Sequence, residues 1–159
     1  MRFAAAENGH WDAMRIRTVL AAAALSACSA CVLPARSFGA YEEKAVTTAE
    51  AVASAVQNAN LAVSLAAQRR AFAPYITTLL DESENDASSA QSTFGSIQPP
   101  DDHAIALFGE LDPILEDAVH TISALRIAAR GGRLDVLPRG RGALRGAATK
   151  LDAFLKALA

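Results

Sequence analysis

The spacing of the apolar residues is the feature that most restricts how this chain can fold. Beyond residue 41, apolar side chains recur at alternating intervals of three and four residues, the pattern of a helix that buries one stripe against its neighbours. The chain has 37 alanines but only 9 aromatic residues, and small side chains of good helix propensity favour closely packed helices over a sheet. The sequence therefore predicts an all-α fold.

Four such stripes are separated by helix-stopping residues. The first helix is predicted from roughly Glu42 to Arg70, and the second starts near Pro74 and stops before Pro99. Asp101 or Asp102 caps the third, and Gly131-Gly132 ends it. The stripes comprise Ala49, Val52, Val56, Ala59, Val63 and Ala66; Ile76, Leu80, Ser83, Ala87, Ala90, Phe94 and Ile97; Ala104, Leu107, Leu111, Leu115, Ala118, Ile122, Leu125 and Ala129; and Leu137, Arg141, Leu144, Ala148, Leu151, Leu155 and Leu158.

The short breaks between these stripes decide the expected topology. Helices joined by a few residues must run antiparallel to their neighbours, which favours an up-down-up-down four-helix bundle over residues 41–159. At 159 residues the length suits one such domain. No sequence period is close enough to indicate a repeat protein.

The segment that precedes this predicted bundle has the layout of a secretory signal. Arg15 and Arg17 lead an apolar run of about ten residues, which small residues follow. The run is too short to span a bilayer, which takes about 20 residues. The segment therefore predicts export.

Within it, Leu25-Ser26-Ala27-Cys28 resembles the lipobox of bacterial lipoproteins. The resemblance implies that Cys28 is diacylated, becomes the mature N-terminus and holds the exported protein on the outer face of the cell membrane. Residues 1–27 are then a leader and signal peptide, and residues 28–40, which contain Pro34 and Gly39, a lipidated tether. The acidic residues Glu7 and Asp12 suit a signal poorly, so either Met1 or Met14 is the true start.

Cys28 and Cys31 also allow a redox Cys-x-x-Cys interpretation. That chemistry belongs to a strand-then-helix setting, and no strand is predicted here. If Cys28 is acylated, Cys31 is the only remaining thiol, so no internal disulfide is expected.

Charge is unevenly distributed along the chain. Residues 41–120 carry 13 acidic and 3 basic residues, whereas residues 121–159 carry 8 basic and 2 acidic ones. We expect the fourth helix to lie beside acidic faces of the second and third. Two alternatives stay open for Arg139, Arg141 and Arg145: contact with anionic lipid or an envelope protein, and binding of a specific anionic ligand. Nucleic acid is not an expected partner, because stacking aromatics are missing and the chain is exported.

The best cluster for catalysis or metal binding is on the third helix. Asp117-x-x-His120 occurs once, whereas ferritin-like bundles need such a motif on two helices, and His120 falls two residues past the stripe position Ala118. The acidic run at residues 81–86 lacks the ligand pattern of an EF-hand. No serine has an activating motif, and haem-binding motifs are lacking. We therefore predict neither an enzyme, nor a metal site, nor a cofactor.

These features predict a lipid-anchored, non-catalytic binding or structural module of the cell envelope. Arginine outnumbers lysine by 12 to 3, as in high-GC bacteria, and the body resembles uncharacterised envelope lipoproteins of such bacteria. No functional residue carries over from that resemblance. The alternative is a helical carrier holding a small apolar or metal ligand inside the bundle, which would need an internal cavity of about 300 Å³ or more.

Overall fold

The computed structural model describes residues 37–159 as helices joined by short links. Helix α1 spans Phe38–Ala67, α2 spans Ala73–Gly95 and α3 spans Asp102–Arg130. A 3₁₀ segment, Leu134–Gly140, then leads into α4 at Arg141–Ala157. Within this part of the chain there is no strand, and the predicted all-α class is confirmed.

The four helices form the predicted up-down-up-down antiparallel bundle. Helix α1 packs against α2, α2 packs against α3, and α4 closes the bundle against α1 and α3. Helices α1 and α3 also meet across the centre, which places α2 and α4 on opposite sides. The expectation that α4 lies beside α3 is confirmed, and the expectation that it lies beside α2 is wrong, because its other neighbour is α1.

The helix ends follow from local chemistry. Ser37 caps α1 by accepting a hydrogen bond from the Ala40 amide, so α1 starts four residues before the predicted Glu42, and the last three residues of the predicted tether are helical. It also ends earlier than predicted, at Ala67, and Arg69 in the following link has a positive φ of 53°.

The predicted start of α2 and both predicted ends of α3 are confirmed, whereas α2 ends at Gly95, two residues before the predicted stripe position Ile97. Pro74 occupies the first turn of α2, where its missing N–H costs nothing. Asp101 caps α3 by accepting a 2.9 Å hydrogen bond from the Ala104 amide. At the other end of α3, Gly131 caps the helix and Gly132 adopts a φ of 73°, the left-handed conformation that glycine tolerates.

The buried stripes match the predicted ones most closely in α3, where all eight predicted positions are buried. One predicted position in each of the first two helices is only half-buried: Ala66 in α1 and Ala90 in α2. Ser83 is buried as predicted, and its hydroxyl donates to the Leu79 carbonyl at 2.7 Å, so burial leaves it satisfied.

The stripe of α4 differs from the prediction. Leu144 and Leu151 are buried as expected, but Ala147 and Phe154 complete the stripe in place of Ala148 and Leu155. Leu158 is likewise only half-buried. Because Leu144 and Leu151 keep the predicted phase, the difference is a small rotation of the buried face of α4, which takes the position three residues after each leucine rather than four.

The bundle has two ends that differ in the segments they bring together. The near end holds the start of α1, the end of α2, the start of α3 and the end of α4. The far end holds the link at residues 68–72 and the 3₁₀ segment. With about 1.5 Å of rise per residue, the 30 residues of α1 separate the two ends by about 45 Å.

Candidate functional site

The predicted anchor lies outside the described residues. This applies to Cys28, to the lipobox residues Leu25, Ser26 and Ala27, and to the signal arginines Arg15 and Arg17. The first described residue, Ser37, follows Cys28 by nine positions and belongs to the near end.

The acidic run of α2 forms ion pairs with the end of α3. The guanidinium of Arg130 lies 2.6 Å from the Asp81 carboxylate. One helical turn earlier, Arg126 pairs with Glu84 and reaches Asp81 at 3.7 Å. The predicted internal use of the charge asymmetry is thus seen between α2 and α3 rather than between α2 and α4.

A further ion pair joins α3 to α4. Lys150 Nζ lies 2.6 Å from the Asp117 carboxylate, and its hydrogen bond and charge lower the pKa of Asp117. His120, one turn along α3, is exposed as predicted. Both α3 residues line an open cleft of about 370 Å³ whose α4 wall consists mainly of small residues: Ala143, Gly146 and Ala147.

This cleft does not assemble catalytic groups from two helices. The carboxylate beside His120 comes from His120's own helix, and α4 contributes only the ammonium of Lys150. Over residues 37–159, no group of three or more His, Cys, Asp or Glu side chains is placed to hold a metal ion. The arrangement can bind a polar group at the surface, but it provides no base and nucleophile in contact.

The three arginines predicted to contact an anionic surface do not share one face. Arg141 is half-buried and donates from its guanidinium to Ser64 Oγ on α1 at 3.2 Å. Arg145 is exposed beside a small groove between α1 and α4. Arg139 is exposed at the far end, in the 3₁₀ segment. Neither Arg139 nor Arg145 has a carboxylate within 4.0 Å among the described residues.

Sequence reasoning missed a second group of residues at the far end. Arg69 and Arg70 lie in the link after α1, and Phe72 and Tyr75 are 86% and 56% exposed. The available signal was two adjacent arginines close to two aromatic residues that belong to no buried stripe. Exposed aromatics beside arginines are typical of binding surfaces.

The far end also carries an open cleft of about 420 Å³. Its walls come from the end of α1, the link to α2 and the 3₁₀ segment, and Arg69 and Asp135 supply its charged groups. A groove of about 310 Å³ between α1 and α2 near Phe94 is also open. These clefts lie at the surface and not in the interior where a carrier would enclose its ligand.

Charge in the folded chain is sorted by end. At the near end, acidic residues dominate: Glu42, Glu43, Asp101, Asp102, Glu110 and Asp112. At the far end, basic residues outnumber acidic ones: Arg69, Arg70, Arg133, Arg139 and Arg141 lie there with Asp135, whereas Arg126 and Arg130 are paired with Asp81 and Glu84 on the side of the bundle. The bundle therefore has a charge polarity along its axis.

Residues 37–159 contain no helix that is both long and apolar enough to cross a membrane. Neither models of known protein families, nor curated protein sequences, nor solved structures give a significant match to this chain. Any functional conclusion must therefore come from the chain's own residues.

Proposed function

We propose that this chain is an exported lipoprotein whose helical bundle acts as a non-catalytic binding or structural module on the outer face of the cell membrane. The observation that carries the proposal is Leu25-Ser26-Ala27-Cys28 behind the basic residues Arg15 and Arg17 and an apolar run. The basic residues, the apolar run and the segment that ends at Cys28 match the layout of a lipoprotein signal in both order and spacing. The acyl chains on Cys28 would each contribute about 0.8 kcal/mol per buried methylene, enough in combination for stable anchoring.

The described part of the chain supports a binding or structural role in two ways. Its buried positions are filled mainly by alanine and leucine side chains, so its charged groups lie at the surface. Its exposed groups are arranged by charge, with an acidic near end and a basic far end. Both features suit a module that meets a partner at one end while the other end is tethered.

The carrier alternative has less support. It requires a ligand inside the bundle, whereas the clefts of about 310–420 Å³ described above are open at the surface. An enzyme is the least favoured class, because His120 lacks carboxylates from two different helices.

Palmitate labelling tests the proposal. Cells that express the chain are given labelled palmitate, and we expect the label in the natural chain and in Cys31→Ala but not in Cys28→Ala. Cys31→Ala is the matched control, because it removes the other thiol of the chain. Equal labelling of Cys28→Ala would contradict the proposal.

A further inference from the structure

The far end of the bundle carries a surface of unpaired arginines and exposed aromatics. We call this the arginine–aromatic end, and it comprises Arg69, Arg70, Phe72, Tyr75, Arg133 and Arg139. Each of these four arginines is exposed, and within residues 37–159 none has a carboxylate at ion-pair distance. Arg70 donates to the Gln68 side-chain oxygen at 3.3 Å, which leaves its charge uncompensated.

The fold assembles this surface from two distant segments. The 3₁₀ segment packs against α1, and the far-end cleft is lined by Arg69 from the first link and by Pro138 from the 3₁₀ segment. Arg139 follows Pro138 directly. Residues about 70 positions apart in the sequence therefore lie around one cleft.

Nearby carboxylates do not neutralise the surface. Asp81 and Glu84 already form ion pairs with Arg126 and Arg130 on the side of the bundle. Asp135 lies in the far-end cleft with Arg69 and is a single charge among four arginines. A positive excess therefore remains at the tip.

We propose that the arginine–aromatic end binds the anionic phospholipid headgroups of a bilayer. A guanidinium matches the oxygens of a phosphate with two parallel hydrogen bonds, and clustered arginines are attracted to anionic lipid surfaces. Phe72 and Tyr75 supply the second element, because aromatic rings favour the interface between headgroups and hydrocarbon. Of the six residues of this end only Arg69 lines the far-end cleft, and charges spread over the tip outside that cleft suit a planar surface better than one shaped ligand.

The position of this end decides which bilayer it meets, and this step rests on the proposed function. The nine residues from Cys28 to Ser37 span at most about 32 Å, whereas α1 separates the two ends by about 45 Å. The far end therefore cannot be turned end-on toward the bilayer that holds Cys28. An upright bundle presents it to a facing bilayer instead.

Flotation with vesicles tests the lipid assignment without the anchor. Full-length Cys28→Ala protein is mixed with vesicles of phosphatidylglycerol in phosphatidylcholine, or of phosphatidylcholine alone. We expect binding to the anionic vesicles only, weakened by salt, and weakened roughly 100-fold when Arg69, Arg70 and Arg139 are together changed to Gln. Phe72→Ala weakens it less. Arg145→Gln, an exposed arginine away from the far end, is the matched control.

Three results would overturn the assignment: no binding to anionic vesicles, equal binding to neutral ones, or binding that the triple variant retains. Circular dichroism of each variant shows that lost binding is not lost folding. Soluble polyglutamate serves as a probe for an acidic protein partner. If the chain binds polyglutamate through the same arginines but does not bind the anionic vesicles, the partner of this surface is an acidic protein and not a bilayer.

The lipidated chain tests the bridging geometry. In vesicles that carry the natural chain, we expect clustering with a second population of anionic vesicles, and none with the triple variant. If alkaline carbonate removes the chain from its own vesicles, the proposed anchoring at Cys28 is wrong. The flotation result then still decides the lipid assignment. If it stays anchored but no clustering occurs, the facing-bilayer geometry is wrong.

Discussion

Tyr41 is the largest of the fully buried side chains, and its ring lies 5.2 Å from that of Phe94. Its hydroxyl has no hydrogen-bond partner among the described residues. A buried donor without a partner costs about 1–3 kcal/mol, while the ring itself fills core volume. The ring of Tyr41 thus stabilises the fold, whereas its hydroxyl destabilises it.

We expect Tyr41→Phe to raise the free energy of unfolding by about 1 kcal/mol at neutral pH, because it removes only the unpaired hydroxyl. Burial, with a further contribution from Asp112, raises the pKa of Tyr41 above 10.0. The unfolded chain therefore loses this proton first, and stability falls as pH rises from about 10 toward the folded pKa.

Thermal unfolding measured from neutral pH to pH 11 checks this prediction. The alkaline fall in Tm should be smaller in Tyr41→Phe than in the natural chain. Tyr75→Phe changes the other tyrosine, which is 56% exposed, and should retain the full alkaline fall. A lower Tm for Tyr41→Phe at neutral pH would show that the hydroxyl has a favourable contact.

Two glycines near the start of α4 differ in their surroundings. A Cβ added at Gly146 would meet nothing within 4 Å, whereas one added at Gly140 would lie 2.6 Å from Cδ2 of the buried Leu125. Gly146→Ala should stabilise the chain by about 0.5–1 kcal/mol, since alanine loses less backbone freedom in a helix. Gly140→Ala should destabilise it by about 1–3 kcal/mol. Urea unfolding of both variants decides this, and a stabilising Gly140→Ala would contradict the close packing of the 3₁₀ segment on α3.

At the scale of whole elements, α4 is held by apolar contacts rather than by its charges. Leu151 is fully buried, whereas Arg145 is exposed and without a carboxylate partner in the described chain. Leu151→Ala should cost about 2–5 kcal/mol and Arg145→Ala less than about 0.5 kcal/mol. Thermal unfolding of a chain that starts at Val32 measures both. Equal losses would mean that α4 is not docked through this stripe.

The buried face of a helix can be predicted from the sequence when its apolar residues keep one helical period. The stripe of α3 is continuous from Ala104 to Ala129, so its buried face could be predicted in full. The stripe of α4 could be predicted only at Leu144 and Leu151, because both Ala147 and Ala148, like Phe154 and Leu155, are apolar. Composition alone does not choose between adjacent apolar residues.

The candidate surface was predictable only in part for a similar reason. The sequence shows a basic segment, but only the fold reveals that Arg126 and Arg130 are paired and that Arg141 is turned toward Ser64. The arginines of the α1–α2 link become part of the same end through long-range packing, which a local pattern does not encode.

At the scale of the whole molecule, the acidic near end and the basic far end give the bundle a direction. The chain enters at the near end, since Ser37 starts α1 there. Under the proposed function, Cys28 precedes Ser37 by nine residues, so the anchor would connect to the bundle at its near end. Anchoring at Cys28 is thus the claim on which the orientation depends.

Mass spectrometry of the chain isolated from its own cell envelope tests that claim most directly. We predict that the N-terminal tryptic peptide runs from Cys28 to Arg36 and carries the added mass of two or three acyl chains on Cys28. An N-terminal peptide that starts at Met1 or Met14, or an unmodified Cys28 within a longer peptide, would contradict it.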